Sequence, residues 1–381
     1  SVAVETGTQG KKRFSGRFFL ILNLILAGSL LFSQAAPLIS PANFWPLELV
    51  ALSYPVLLLL NFFFLIYWGI RRHQFFFISA AVILMGYDKL IQLYQPTIFT
   101  VDVKPPKGAI KVMSYNVRLF DLYNWSGNAK TRQKILDMLE DEHPDILCLQ
   151  EYFHNDNGDF ENNQTIADLL RLPYRTIKYG LTLRKYQHWG LATFSKYPVV
   201  DEGVIFFEEG KTNFGMYSDI VIHGDTVRVY NVHLQSNHFK QRDYNFIANP
   251  DSGNKEVMMD GAKHLLKRIR SAVNKRSNQA EELSLHIGTS PYPVLLCGDF
   301  NDPPFTYTYH TSRKFLRDAF TEKGKGFGAT YIGFPLKFRI DYILHSPDDI
   351  IIHSYQTKHY KYSDHFPITA WFSLNIPKAT P

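Results

Sequence analysis

Acidic, amide and imidazole side chains recur in this sequence at or beside the ends of short apolar runs. Glu151 ends the run 146–150, while Asp299 and Asn301 follow the run 294–298. Because the strand ends of stacked sheets can meet on one rim, these groups can converge on one site. The full set is Asn116, Glu151, His233, Asp299, Asn301, Asp341, Asp364 and His365.

The donor types in this set favour one class of cation. Carboxylate and amide oxygens suit Mg²⁺ or Mn²⁺ better than zinc, and the histidines have no cysteine partners nearby in sequence. Imidazoles in such a place fit phosphate binding and proton transfer. Taken singly, each residue has an ordinary structural explanation as a turn residue, a helix cap or a hydrogen-bonded histidine. The prediction of a cation-assisted phosphate site therefore depends on the whole set.

The elements that must position these groups are short strands with a few helices between them. Helices are predicted over 130–142 and 258–277, and the turn Gly224-Asp225 predicts a hairpin. Cys148 and Cys297 lie in apolar runs and are expected to be buried, inert thiols. Many strands with few helices predict an α+β fold with two stacked sheets flanked by helices. Predicted strands cover 110–116, 146–151, 220–222, 227–233, 293–299, 339–345 and 367–374.

The first hundred or so residues differ from the rest in being strongly apolar. Three runs, 18–36, 49–70 and 75–94, are long enough to cross a bilayer, and the third is weakened by Asp88 and Lys89. The expected organisation is a tail over 1–17, three transmembrane helices over 18–95, a linker over 96–108, a catalytic domain over 109–375 and a tail over 376–381.

Basic residues flanking the apolar runs predict their orientation. Lys11, Lys12, Arg13 and Arg17 precede the first run, and Arg71 and Arg72 follow the second. The positive-inside rule places both groups in the cytoplasm. With three spans, the catalytic domain lies on the extracytoplasmic side of a multi-pass membrane protein. If the third run does not cross, that domain is cytoplasmic instead.

The formal net charge of +6 and a pI near 9.0 suit a polyanionic partner, although membrane flanks also contribute basic residues. A basic stretch lies on the predicted helix 258–277, with Lys267 and Arg268 as candidate substrate contacts. A solvated helix face explains this stretch equally well. Its members are Lys263, Lys267, Arg268, Arg270, Lys275 and Arg276.

The ordered motifs resemble those of the endonuclease/exonuclease/phosphatase superfamily, which includes DNase I-like nucleases, sphingomyelinases and inositol-phosphate 5-phosphatases. The resemblance spans about 109 to 375 and leaves out the apolar region. It implies a DNase I-like, four-layer α/β/β/α sandwich. The matching pieces are Met113-Ser114-Tyr115-Asn116-Val117, Leu149-Gln150-Glu151, Asn231-Val232-His233-Leu234, Gly298-Asp299-Phe300-Asn301-Asp302, Arg339-Ile340-Asp341-Tyr342-Ile343 and Ser363-Asp364-His365.

The resemblance also implies roles for single residues. Glu151 resembles the principal ligand of a Mg²⁺ or Mn²⁺ ion, with Asn116 beside it and Asp364 as an auxiliary ligand. Asp299 would orient or deprotonate the attacking water, and Asn301 would hold that water or the phosphate.

The histidines match phosphate-contacting positions of the superfamily. His365 would contact the scissile phosphate in an orientation fixed by Asp341, and His233 would be a second phosphate contact. Whether Asp299 or His365 takes the first proton, and whether one metal or two are bound, stays open at this point.

The sequence leaves the substrate open between two kinds of phosphoester. The first hypothesis is a nuclease-like phosphodiesterase, and the second is a lipid or inositol-phosphate hydrolase kept near its substrate by the membrane tether. A third, a binding module without catalysis, needs a broken site, but every matched position is intact. The bilayer itself is an expected partner, and no obligate protein partner is inferred.

Overall fold

The computed structural model describes residues 7–97, 104–208, 213–237, 255–333 and 337–375. The outermost parts of the predicted tails, 1–6 and 376–381, and residues 98–103 of the predicted linker lie outside these ranges. The chain divides into two compact units, one comprising 1–92 with 305–307 and the other comprising 93–304 with 308–381.

The first unit consists of helices built from the apolar runs. Its helices are α1 (Gly7–Ala35), a 3₁₀ turn (Ala36–Leu38), α2 (Pro41–Phe44), α3 (Pro46–Leu52), α4 (Tyr54–Ile70) and α5 (Phe76–Met85), followed by α6 (Tyr87–Leu93). One helix, Gly16–Leu38, is long and apolar enough to cross a membrane. The other predicted spans are broken, because α3 and α4 are bent by 57° and α5 and α6 by 69°.

A buried polar network joins three helices of this unit. Asn23 Nδ2 donates to Ser79 Oγ (2.8 Å), and Ser79 Oγ donates to Asn61 Oδ1 (3.2 Å). Trp68 Nε1 donates to Asn23 Oδ1 at 3.1 Å. Hydrogen bonds of this kind link helices in apolar surroundings, where an unpaired polar group is costly. The network therefore ties α5 to α1 and α4.

Two mixed sheets form the centre of the second unit. The first has the order β11-β12-β1-β2-β4-β3 and the second the order β5-β6-β7-β8-β10-β9. The strands are β1 (Ile110–Asn116), β2 (Ile146–Asn155), β3 (Tyr174–Leu183), β4 (Gln187–Ser195), β5 (Val199–Ile205), β6 (Gly215–Ile222), β7 (Asp225–His233), β8 (Val294–Asp299), β9 (Arg317–Asp318), β10 (Asp341–His345), β11 (Ile350–Thr357) and β12 (Ile368–Leu374).

Apolar side chains alternate along these strands and fill the space between the sheets. Val112 and Cys148 of the first sheet share a buried cluster with Val229 and Cys297 of the second. The two thiols are thus buried and free, as the sequence predicts.

Helices cover the outer faces of both sheets. The remaining helices are α7 (Thr131–Glu142), α8 (Asn162–Leu170), α9 (Lys255–Gly288), α10 (Tyr307–Ser312) and α11 (Ala319–Lys323). Ile135 of α7 and Ile166 of α8 pack in a buried apolar cluster on the first sheet, and Leu283 of α9 packs in a second buried cluster on the second sheet. The arrangement is the four-layer, DNase I-like sandwich that the sequence predicts.

One expectation about the basic stretch is wrong. Arg276 was expected on a surface with its basic neighbours, but it is 1% exposed and its Nη2 lies 2.9 Å from Asp302 Oδ1. The helix continues past the predicted end at 277 to Gly288, and its later turns pack on the sheet. Arg276 therefore stabilises the fold and is excluded from a substrate surface.

We predict that Arg276→Met lowers the free energy of unfolding by about 3–5 kcal/mol, because it leaves the buried Asp302 carboxylate without its cation. Urea titration of the detergent-solubilised chain, followed by tryptophan fluorescence, measures the change. Lys196→Met is the matched control, since Lys196 is 59% exposed in its pair with Asp145 and should contribute about 0–1 kcal/mol. Equal losses in the two variants would contradict the prediction.

Candidate active site

Asp299 lies at the end of β8 and is 1% exposed. Its Oδ1 accepts the Asn301 backbone N–H (2.8 Å), and its Oδ2 accepts from Asn116 Nδ2 (3.0 Å). Burial raises the pKa of Asp299, although the nearby His365 opposes that rise. The result is a carboxylate held in place by two donors and poised to accept a proton.

The register of the second sheet places Asp299 between two other predicted residues. His233 of β7 and Asp341 of β10 are its pairing partners on either side. Gly298, with φ +152°, lets β7 approach closely, because a Cβ there would lie 2.1 Å from Val232 O. Three chemically active side chains therefore share one row at the sheet end.

His365 and Asp341 form a buried hydrogen-bonded pair. His365 Nδ1 lies 2.9 Å from Asp341 Oδ2, which holds the imidazole in one tautomer and orientation, and its Nε2 lies 3.7 Å from Asp299 Oδ2. Burial alone would lower the pKa of His365, but Asp341 and Asp299 outweigh it and raise that pKa well above 6.5. These two carboxylates therefore favour the protonated form of the imidazole.

His233 and Glu151 complete the rim from two different sheets. His233 Nε2 lies 3.8 Å from Glu151 Oε1 and 3.7 Å from Asp299 Oδ2. These separations exceed hydrogen-bonding distance, and the buried Nε2 has no hydrogen bond within the described residues. A buried imidazole nitrogen that faces two carboxylates without bonding to either indicates where a further group binds.

Glu151 itself sits in a strained backbone position. Its φ is +46°, and the pairing of β2 with β4 shifts register between Leu149 and Tyr152. A bulge re-aims the side chain that it carries, and such strain gathers at functional sites. Gln150 beside it donates to Asn231 Oδ1 at 2.7 Å, which joins the sheets just below the rim.

Asn116 links the two carboxylates. Its Nδ2 donates to Asp299 and lies 3.3 Å from Glu151 Oε1, while its Oδ1 accepts the Arg118 backbone N–H at 3.0 Å. Asn301 has φ +55° and donates from Nδ2 to Leu234 O at 3.0 Å. Both amides are therefore held in one orientation at the rim.

Asp364 faces Arg118, a residue that sequence reasoning missed. Its Oδ2 lies 3.4 Å from Arg118 Nε, and the Arg118 guanidinium stacks over the Trp125 ring at 4.7 Å. Tyr123 and Trp125 are 60% and 48% exposed. Residues 118–121 all have positive φ, between 46° and 61°. The Asn-Val-Arg sequence after β1 was the available signal, because it puts a cation two residues from Asn116.

Lys267 and Arg268 lie on helix α9, whereas the other predicted residues lie at or beside strand ends. The Lys267 side chain is exposed and that of Arg268 is half-buried. The structure thus brings together Asn116, Glu151, His233, Asp299, Asn301, Asp341, Asp364 and His365 at one rim.

The donor set fits a hard divalent cation. Asp299, Asp341 and His365 present donor atoms within 4.8 Å of one another. This buried trio could therefore hold a divalent cation, although its imidazole nitrogen suits a hard cation less well than an oxygen donor does. The oxygens of Glu151 and Asp299 both contact the Asn116 amide and face His233 Nε2, and they fit Mg²⁺ or Mn²⁺ better.

Two family models match the chain. The endonuclease/exonuclease/phosphatase family matches residues 113–365, and a domain of unknown function matches residues 16–93. No curated protein matches the sequence.

Solved structures agree with the fold. The catalytic domain of human Nocturnin with a bound sulfate anion is 18% identical, with 74% of this chain and 100% of that one covered at a TM-score of 0.50. An endonuclease/exonuclease/phosphatase family protein from Leptotrichia buccalis is 14% identical, with 70% and 100% covered at 0.50. A family protein from Beutenbergia cavernae is 17% identical, with 70% and 72% covered at 0.48.

We predict that Asp341→Asn lowers the pKa of His365, because the carboxylate that stabilises the imidazolium is removed. Histidine-selective NMR titration measures the shift. Because the pKa of His365 is higher in the folded state than in the unfolded state, its protonation stabilises the fold fully below pH 6.5, and this stabilisation is lost as the pH rises through the folded-state pKa. The variant lowers the folded-state pKa, so the stabilisation should be lost at a lower pH.

Asp156→Asn is the matched control for this titration. Asp156 contacts His154 and His188 at 3.0 and 3.1 Å, so its removal should leave the His365 signal in place. An unchanged His365 pKa in Asp341→Asn would refute the assignment of the shift to that carboxylate.

Proposed function

The chain belongs to the endonuclease/exonuclease/phosphatase family, and from that membership we propose a membrane-anchored, divalent-metal-dependent phosphodiesterase of the nuclease type. Family membership makes the chain a phosphoester hydrolase.

One observation carries the proposal. A buried carboxylate, Asp299, lies 3.7 Å from each of two histidines, and it is bonded to an amide that also reaches Glu151. The groups proposed as metal ligand, proton acceptor and phosphate contacts therefore lie close to one another. A binding module without catalysis would have no need of all these groups.

Glu151 is the proposed principal ligand of Mg²⁺ or Mn²⁺, with Asn116 beside it and Asp364 as an auxiliary group next to Arg118. When bound, the cation would neutralise phosphoryl oxygens and stabilise the charge that develops on them. The orphaned Nε2 of His233 faces the same space and supports its use by a bound anion.

Asp299 is the proposed general base. Its raised pKa favours proton uptake, and the Asn301 backbone N–H holds one of its oxygens in place. Asp341 and Asp299 raise the pKa of His365 and so favour its protonated form, which makes His365 the less suitable proton acceptor. Asp299 would therefore orient and deprotonate a water for in-line attack at phosphorus.

His365 and His233 are the proposed phosphate contacts. Asp341 orients His365 so that the Nε2–H can donate to a phosphoryl oxygen, and this charge-assisted bond strengthens as the oxygen gains charge. Asn301, fixed at the same rim, would hold the phosphate or the attacking water.

Nucleic acid is the proposed substrate. Exposed Tyr123 and Trp125 beside the Arg118 cation offer faces on which bases can stack. Lys267 on α9 offers a phosphate-backbone contact, and the half-buried Arg268 offers a weaker one. The alternative, a lipid or inositol-phosphate hydrolase, is favoured by the apolar N-terminal helices, which would keep the site near membrane substrates.

The proposed location is a membrane with the catalytic unit on the extracytoplasmic side. Helix 16–38 is apolar enough to cross, and each bent pair would add a span if it acts as one. Arg71 and Arg72 would then lie in the cytoplasm. The bilayer is thus a proposed partner of the chain.

We predict that the detergent-solubilised full chain hydrolyses DNA or RNA with Mg²⁺ or Mn²⁺, and that Asp299→Ala lowers kcat by about 10²- to 10⁴-fold because the general base is lost. Parallel assays with sphingomyelin and phosphoinositides in mixed micelles test the alternative substrate class. Binding of nucleic acid should weaken steeply as salt rises.

Asp201→Ala serves as the control, since the Asp201 side chain is 61% exposed on β5. Activity that survives a chelator, or hydrolysis of none of the four substrates, would refute the central proposal. Activity on sphingomyelin or phosphoinositides alone would favour the alternative function, a lipid or inositol-phosphate hydrolase.

A reporter fused to the C-terminus tests the topology. We predict an extracytoplasmic signal, because three crossings take the chain from a cytoplasmic N-terminus to the opposite side. Deleting 76–93 should reverse the signal. A cytoplasmic reporter in the intact chain would contradict the three-span topology.

A further inference from the structure

Two short loops leave the second sheet at the rim and carry or flank groups of the proposed site. Residues 234–237 follow β7, and residues 300–302 follow β8. The loops touch each other, since the Leu234 backbone N–H donates to Asp299 O (2.9 Å) and Asn301 Nδ2 donates to Leu234 O (3.0 Å). The pairing between β7 and β8 ends where the loops begin, so their backbone polar groups need partners from elsewhere.

Two side chains of helix α9 supply partners for the first loop. Gln279 Oε1 accepts the Gln235 backbone N–H at 2.8 Å, and Arg276 Nη1 donates to Gln235 O at 3.0 Å. The same Nη1 donates to Asn237 Oδ1 at 3.0 Å. Because residues three apart in a helix lie on one face, α9 can hold both backbone polar groups of Gln235 at once.

The arginine also reaches the second loop. Arg276 Nη2 donates to Asp302 Oδ1 at 2.9 Å, while Tyr342 Oη donates to Asp302 O at 2.8 Å. Arg276, Gln279 and Asp302 are each at most 1% exposed, and hydrogen bonds are stronger in such surroundings than in water. The planar guanidinium has donors for two directions, so Arg276 couples the placement of the two loops.

The position of His233 depends on these ties. Its Nε2 is buried and has no hydrogen bond within the described residues, so no partner of that nitrogen holds the ring in place. The backbone that follows His233 is held by Gln279 and Arg276 through Gln235. Asn301 bonds to the same loop at Leu234 O. A shift of this loop would therefore move both side chains at the rim.

From these contacts we propose that Arg276 and Gln279 are positioning residues for the reaction. Through the two loops they keep His233 and Asn301 where one phosphate can contact both. The inference rests on the proposed function, in which those two residues bind the phosphate or the attacking water. In this role neither α9 side chain touches the substrate. Their effect on rate is indirect, since a misplacement of about 1 Å can cost roughly 100-fold.

Gln279→Met tests the proposal in the detergent-solubilised full chain, because it removes the acceptor for the Gln235 N–H with little change in shape. We expect kcat for bis(p-nitrophenyl) phosphate, a soluble diester, to fall about tenfold while KM changes less than about twofold, since the phosphate contacts strengthen in the transition state. Gln279→Glu should restore kcat to within about threefold of the parent, because a carboxylate oxygen also accepts that N–H.

Tyr230→Phe is the matched control. The Tyr230 hydroxyl lies 2.9 Å from His286 Nδ1, so this variant loses a hydrogen bond between the same strand and the same helix but none to either loop. It should keep the parent kcat. A parent-like kcat in Gln279→Met, or an equal loss in Tyr230→Phe, would overturn the proposal.

A histidine-selective NMR spectrum gives a second readout that needs no activity. The His233 signal, assigned with His233→Gln, should move in Gln279→Met and stay in place in Tyr230→Phe. An unmoved signal in Gln279→Met would also overturn the proposal. A parent chain that hydrolyses no diester would contradict the proposed function alone, because the spectrum still decides whether Gln279 positions His233.

Discussion

The burial of one carboxylate organises the catalytic end of this molecule. Asp299 is almost inaccessible, and an isolated charge there would be strongly unfavourable. Its oxygens are satisfied by the Asn301 backbone and the Asn116 amide, and the His365 imidazole, whose protonated form is favoured here, lies beside it. Each compensating group comes from a different strand end or loop, so the two sheets must be in register for the charge to be tolerated. The stability of the sandwich and the geometry of the site therefore depend on the same contacts.

The need to surround the buried Asp299 carboxylate with polar groups also explains why several residues at the strand ends have strained backbone conformations. Glu151 and Asn301 both adopt left-handed φ values, and Gly298 allows β7 and β8 to approach closely. A regular strand would point alternate side chains to opposite faces and would take Glu151 away from Asn116. The bulge in β2 re-aims that carboxylate. Strain at these positions is offset by the apolar packing between the sheets and by the Gln150–Asn231 hydrogen bond beneath the rim.

Part of the sheets and the catalytic cluster could be predicted because both leave local signals. Apolar runs mark β1, β7 and β8, and ordered motifs at their ends identify the polar groups, whereas β3, β4, β5, β9 and β11 were not predicted. Long-range pairing leaves no such signal. The burial of Arg276 depends on Asp302, and hydropathy alone does not reveal the bends between α3 and α4 or between α5 and α6.

Reaction and substrate are governed by different parts of the structure. The groups around Asp299 are positioned by sheet register, so they serve any phosphoester whose phosphorus reaches the rim. Selection must come from what surrounds them. The loop 118–126 is suited to this task, because Arg118 touches both Asp364 and Trp125 while its backbone N–H holds Asn116. A group that stacks on Trp125 would lie beside Arg118, whose backbone N–H orients Asn116 next to Asp299. Substrate binding at this loop and the geometry around Asp299 therefore depend on the same residue, and interactions that improve in the transition state are the ones that raise the rate.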